Sequence, residues 1–237
     1  MSSRSRLSAV VFAMLSSLPA TQVRAEDSVP AATDPGPQTF SIVFENDLFG
    51  DTDAQYTNGI QVGWVSPNLK ALGGQPGVPD LLLRAIRRLD AFEHAVLGDN
   101  DRQFNVGFSV GQLMFTPDDT QARTVVRDDR PYAGFLYGTL SLVSKSVDVA
   151  DTLDVQLGVV GPASLAEDSQ RLVHELRGFA VPQGWNHQLG NEPGVLVYYE
   201  RKWRVLHQDL FARFGYDVIA HGGVALGNVA VYGAAGG

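Results

Sequence analysis

The strongest constraint in this chain is a strict alternation of apolar and polar side chains, sustained over segments of about ten residues. In Arg102–Thr116, Phe104, Val106, Phe108 and Val110 fall on one face, and Gln103, Asn105, Gly107, Ser109 and Gly111 on the other. In Thr152–Val160, Leu153, Val155, Leu157 and Val159 oppose Thr152, Asp154, Gln156 and Gly158. In Asp209–Ile219, Leu210, Ala212, Phe214, Tyr216 and Val218 oppose Asp209, Arg213, Gly215 and Asp217. A period of two is the signature of a strand with one greasy face. A soluble antiparallel sheet alternates in the same way, with its apolar face on a core. Two properties favour a transmembrane barrel instead. Ten residues is the length a tilted strand needs to cross a bilayer, whereas ordinary strands run to about 5–6. Asp154, Asp209, Arg213 and Asp217 all fall on the inner face, which a wet lumen accepts and a dry sandwich core does not.

Eight segments read as strands: Phe40–Phe49, Tyr56–Val65, Arg102–Thr116, Ala133–Lys145, Thr152–Val160, Gly194–Arg204, Asp209–Ile219 and Gly223–Tyr232. Two helical patterns interrupt them. Pro79–Leu97 places Leu82, Leu83, Ile86, Leu89, Phe92, Val96 and Leu97 at helical spacing, and Ala166–Arg177 is shorter. The fold class expected is therefore all-β, an antiparallel transmembrane β-barrel with short loop helices.

The N-terminus reads as a secretory signal over residues 1–25. Arg4 and Arg6 form a positive start, Leu7–Leu15 is a short apolar stretch, and Val23-Arg24-Ala25 fits a cleavage site. Residues 26–38 read as a flexible lead-in and 39–237 as the barrel. The whole chain carries a net charge of −8, and loss of Arg4, Arg6 and Arg24 makes it more acidic still. Such a balance argues against a nucleic-acid partner, which needs a basic footprint. With no cysteine, the chain has no disulfide, thiolate metal site or thiol nucleophile.

A barrel of this kind starts in the periplasm, so connections 1→2, 3→4, 5→6 and 7→8 lie outside. Ser146–Asp151 and Val205–Gln208 are expected as short inner turns. The polar residues that stand out then gather at the outer rim. They are Glu45-Asn46-Asp47, Tyr56-Thr57-Asn58-Gly59, Asp128-Asp129-Arg130-Pro131-Tyr132, Gln170 and His174, and Gln188-x-x-Asn191-Glu192-Pro193. Gln170 and His174 are four apart and share a helix face. His174 suits a general base, or is a solvated loop histidine. Asp47 with Asn46 suits a hard cation, or is turn chemistry. Asp128-Asp129-Arg130 reads as an ion-pair cluster, and the Gly and Pro around Tyr132 as turn formers. Ser164 and Ser169 lie near His174 in sequence, but five residues put Ser169 off its helix face.

These residues carry a resemblance. Phe44-Glu45-Asn46-Asp47, Tyr56-Thr57-Asn58-Gly59, Asp129-Arg130-Pro131-Tyr132-Ala133-Gly134, Gln170-x-x-x-His174 and Gln188-x-x-Asn191-Glu192-Pro193 resemble the outer-membrane lipid A 3-O-deacylase family, often called LpxR. The resemblance runs from about Phe40 to the end. It implies a twelve-stranded barrel, of which about eight strands lie in this chain, leaving an open edge after Tyr232 that invites association. It also implies Ca²⁺-dependent hydrolysis of the ester holding the 3′-acyloxyacyl chain of lipid A, with lipopolysaccharide as substrate and the bacterial outer membrane as location. Residue by residue, it places Asn46, Thr57, Gln170 and His174 in the active site and Asp47 at the metal. The family's basic residue on the third strand has no counterpart in Gln112-Leu113-Met114-Phe115. A passive channel, or a lipid-binding barrel without catalysis, is the alternative class; neither accounts for a histidine-bearing loop helix.

Overall fold

The computed structural model describes residues 36–46, 58–72, 79–88, 102–125, 129–211 and 214–237. Eight strands follow one another around a single antiparallel sheet in chain order. They are β1 (Thr39–Asn46), β2 (Asn58–Val65), β3 (Gln103–Phe115), β4 (Ala133–Lys145), β5 (Val149–Val160), β6 (Glu192–Phe211), β7 (Phe214–Gly227) and β8 (Val231–Gly236). Helix α1 (Asp80–Ile86) lies between β2 and β3, and helix α2 (Ala166–Arg177) between β5 and β6. Among the described residues no ladder joins β1 to β8. The expected signal segment, residues 89–97 of the first helical pattern, and Arg213 lie outside the described residues.

The register turns the alternation into two faces. Phe40, Trp64, Phe108, Leu140, Val155, Val197, Leu226 and Val231 are partners across all eight strands, and so form one apolar row. The opposite face carries Gln61, whose side chain donates to Ser109 Oγ at 2.6 Å, and Glu200, which meets His221 Nδ1 at 2.9 Å. Its rings lie flat over glycines: a Cβ on Gly223 would come within 2.8 Å of the Tyr198 hydroxyl.

That packing explains one departure from the sequence reading. A break is expected at residues 220–222, between strands Asp209–Ile219 and Gly223–Tyr232, yet β7 runs through it to Gly227, with Gly223 a seat for Tyr198 rather than the start of a new strand. The expected turn at Val205–Gln208 is also strand. A bulge between Arg204 and Leu206 lets β6 continue to Phe211, with His207 Nδ1 2.6 Å from Asp217 Oδ1 and the Tyr216 hydroxyl donating to Gln208. Asp209 and Asp217 consequently sit on a hairpin that overruns β5, whose pairing with β6 ends at Val149↔Trp203. The turn after β4 is tighter than expected: Ser146 N–H donates to the Val149 carbonyl and β5 starts there.

A further correction concerns β3. Phe108 and Val110 are open on the apolar face, at 39% and 62% exposure, but Val106 is only 2% exposed. Phe104 and Val106 are covered by Leu72 and by Leu83 of α1, which pack with Leu142 and Leu153. This gives a labelling result to expect from single cysteines. Val110→Cys should react with a membrane-dissolved maleimide and Ser109→Cys with a water-soluble one, whereas Val106→Cys should resist both. Equal labelling of positions 109 and 110 by the water-soluble reagent would rule out a lipid-facing wall.

Candidate active site at the outer rim

The candidate site is built on one row of the sheet. Asn46 pairs with Asn58, Asn58 with Met114, and Met114 with Gly134. At about 4.8 Å per strand, about 14 Å of wall separates Asn46 from Gly134. The chain leaves β5 at Gly161, whose N–H donates to the Gly134 carbonyl at 2.9 Å. A 3-10 turn (Pro162–Ser164) then leads into α2. A Cβ on Gly134 would overlap both Ser164 Oγ and the Ala166 methyl, so glycine here is the condition for the helix to touch the wall. The reading of this glycine as a turn former is thus corrected: it lies inside β4.

The loop helix folds back over the apolar face. Ala166, Gln170 and His174 form one stripe at four-residue spacing. Ala166 packs with Met114, Tyr132 and Trp185. Gln112, on the same face of β3, donates from Nε2 to the Ser164 carbonyl at 2.6 Å. Leu165, at φ 59, makes the corner into the helix, a left-handed conformation that costs a branched or bulky residue about 1–3 kcal/mol.

Gln170 is 3% exposed. Its Oε1 accepts from Trp185 Nε1 at 2.8 Å, so that oxygen is committed to holding the loop. Trp185 in turn rests on Tyr132, with ring centroids 4.9 Å apart. The Tyr132 hydroxyl donates to the Thr120 carbonyl at 3.0 Å, and burial pushes it above the ordinary phenol range. Gln183 N–H reaches the Thr120 carbonyl as well, so the 3→4 and 5→6 loops are stitched together.

His174 is partly buried, one turn beyond Gln170. Gly178 ends the helix at φ 70, a conformation glycine adopts at no cost, and Phe179 N–H returns to the His174 carbonyl at 2.9 Å. This reversal brings the Ala180 carbonyl to 2.7 Å from His174 Nδ1. A carbonyl only accepts, so Nδ1 carries the proton and Nε2 presents its lone pair. Phe179 packs edge-on against the ring at 5.9 Å.

Of the residues singled out by sequence, Gln170 and His174 are thus on one stripe of α2, and Asn46 is the last residue of β1, on the row of Met114 and Gly134. Asp47 and Thr57 lie outside the described residues, as does Asp128. Asp129 is a loop cap, accepting from Asp118 N–H and Arg130 N–H, and Arg130 reaches the Thr116 carbonyl and Asp118. Ser164 donates to the Gly161 carbonyl at 2.6 Å and is fully buried, which makes it a turn residue. Tyr132 and Gly134 lie in a motif that the sequence shows, but their part in seating the helix, with Met114 and Trp185, escapes a search for reactive groups. A glycine inside the strand pattern of Ala133–Lys145 was the available signal of a close approach.

A family model described as outer membrane protein LpxR matches residues 8–237. The chain belongs to the LpxR family. Among solved structures, LpxR from Salmonella typhimurium matches with a TM-score of 0.55 and 17% identity, over 73% of this chain and 48% of that one. The chain therefore spans about half the length of that solved LpxR. None of the curated proteins matches it. The likeness identifies the eight strands as wall of an outer-membrane β-barrel, so the apolar face that carries α2 is the lipid-facing one. Among the described residues no helix is long and apolar enough to cross a membrane; the strands do the crossing.

Proposed function

We propose that this LpxR-family chain removes the 3′-acyloxyacyl chain of lipid A in the outer leaflet by ester hydrolysis, with His174 as general base. The observation that carries this reading is the 2.7 Å bond from His174 Nδ1 to the Ala180 carbonyl, on a helix seated against the lipid-facing wall. It favours the tautomer a base needs, on a loop helix that lies on the lipid side of the wall. His174 Nε2 takes the proton from a water as that water attacks the ester carbonyl carbon. The bond to the sugar oxygen then breaks, and the departing alkoxide takes the proton back from the ring. Gln170, held by Trp185, sets the position of the helix stripe on which His174 lies.

Developing oxyanion charge needs a positive centre, and the third strand offers none here: Gln112 is spent on the Ser164 carbonyl. The donor set next to the row is suited to a hard cation. Asn46, Asp47 and Thr57 supply amide, carboxylate and hydroxyl oxygens, and Asn46 and Asn58, which adjoin Asp47 and Thr57 in the chain, are paired across the strands. These three residues would hold Ca²⁺, whose chemistry there is polarisation of the ester carbonyl.

The test is mass spectrometry of lipid A from cells expressing the chain, with and without added Ca²⁺. Loss of the 3′-acyloxyacyl mass in the presence of Ca²⁺ is the expected result; unchanged lipid A in both would return the protein to the class of non-catalytic barrels. Asp47→Ala should raise the Ca²⁺ concentration needed for half activity, and excess Ca²⁺ should partly restore it. Activity lost at every Ca²⁺ concentration would assign Asp47 to proton transfer instead.

A further inference from the structure

The lipid-facing wall carries a second helix at its other end. α1 is fixed there by Leu83, which is buried against Phe104, Val106, Leu142 and Leu153. Among the described residues, Arg84 and the two residues that follow the helix, Arg87 and Arg88, are all exposed, and Asp80 is the one acid of the helix. Leu81 of the same helix is 72% exposed. Beneath α1 the wall has its own charges. Asp151, fully buried, accepts from Arg102 at 2.7 Å, from Arg201 at 2.6 Å and from the Tyr199 hydroxyl at 2.6 Å. Trp203, two residues along β6 on the same face, is exposed to the membrane side.

Its height on the barrel is set by register. Phe104, Ser144, Asp151 and Arg201 form the inner row, and Met114 and Gly134 belong to the outer one. The ten residues between Phe104 and Met114 span about 34 Å along the strand, or about 25 Å of bilayer at the usual tilt. That is the height of the apolar band of an outer-membrane barrel, so α1 lies at the headgroup layer opposite to α2.

We propose that Arg84, Arg87 and Arg88, on α1 and at its end, bind the phosphate headgroups of anionic phospholipids in the periplasmic leaflet. A short helix with apolar side chains towards the acyl region and arginines towards phosphates is the form an interfacial element takes. Each basic residue at an anionic surface is worth about a fivefold preference. The exposed Trp203 marks the same interface. Lipid is the occupant because the surface faces the lipid side of the wall, and nothing in the proposal depends on deacylation.

The test uses the chain with Trp64→Phe and Trp185→Phe, leaving Trp203 as reporter, in phosphatidylcholine vesicles that contain phosphatidylglycerol. Either lipid carries brominated acyl chains, which quench a tryptophan they touch. At equal mole fraction, brominated phosphatidylglycerol should quench more strongly, corresponding to at least about a fivefold preference that shrinks in high salt. The preference should vanish in R84Q/R87Q/R88Q and persist in R84K/R87K/R88K, each checked for heat-modifiable migration of the folded barrel. Equal quenching by the two lipids in the parent would overturn the proposal. So would a preference that survives the glutamine triple, or one lost in the lysine triple, which would assign the effect to helix shape rather than charge.

Discussion

Replacing His174 by Ala should lower the rate of lipid A deacylation by roughly 10²–10⁴, the range expected when a general base is removed. His174→Gln separates base from scaffold. Its amide can still donate to the Ala180 carbonyl, 2.7 Å from Nδ1 in the parent, but it accepts no proton at neutral pH. Both variants should give the same low rate, measured on purified lipid A and checked in cells by mass spectrometry. Neither should alter the heat-modifiable migration of the barrel, because a partly buried rim histidine carries little packing. Ser169→Ala should stay within about twofold of the parent; a trapped acyl-enzyme on Ser169 would install a serine mechanism instead. A His174→Gln variant with full activity would remove the ring from the chemistry altogether.

The second large effect is expected far from any reactive group. Gly134→Val gives β4 a residue that strands favour, so the wall should fold. Its side chain, however, would occupy the space of Ser164 and Ala166 and push α2 off the sheet. Activity should fall about as far as in His174→Ala, and residues 161–191 should become open to limited proteolysis. Gly138→Val is the control: it lies on the same face of the same strand, where a Cβ finds its nearest neighbour, the Ser109 carbonyl, at 3.9 Å. It should be close to silent. If Gly134→Val retained activity within about twofold, the close seat of the helix would not be what places the ring.

The wall was legible in the sequence because lipid and lumen select opposite side chains at every second position. Ala133–Lys145 and Ala166–Arg177 match their elements end to end. Legibility failed where one residue type served two purposes. Ala220-His221-Gly222 resembles a break, but it lies within an unbroken strand in which Gly223 makes room for Tyr198. Val205–Gln208 resembles a turn after a strand of ordinary length, but Leu206, His207 and Gln208 pair across a hairpin that has left the sheet's neighbours behind. The candidate site divides in the same way. His174 and Gln170 could be found by spacing, because a helix repeats its faces every four residues. The packing of Tyr132 and Gly134, both inside a motif the sequence shows, with Met114 and Trp185 could not, because these residues come from three separate segments that meet only in the fold.

That register also makes the wall a ruler. The ladder between β3 and β4 can shift by two residues, but a shift by one would turn every apolar side chain into the lumen. The helix that rides on Met114 and Gly134 can therefore change its depth in the bilayer only in steps of about 7 Å. A step of that size is longer than an ester group, and would carry the histidine from the sugar boundary into headgroups or hydrocarbon. Relatives that cut at a different depth must do so by changing side chains along this row, since sliding the helix is too coarse an adjustment.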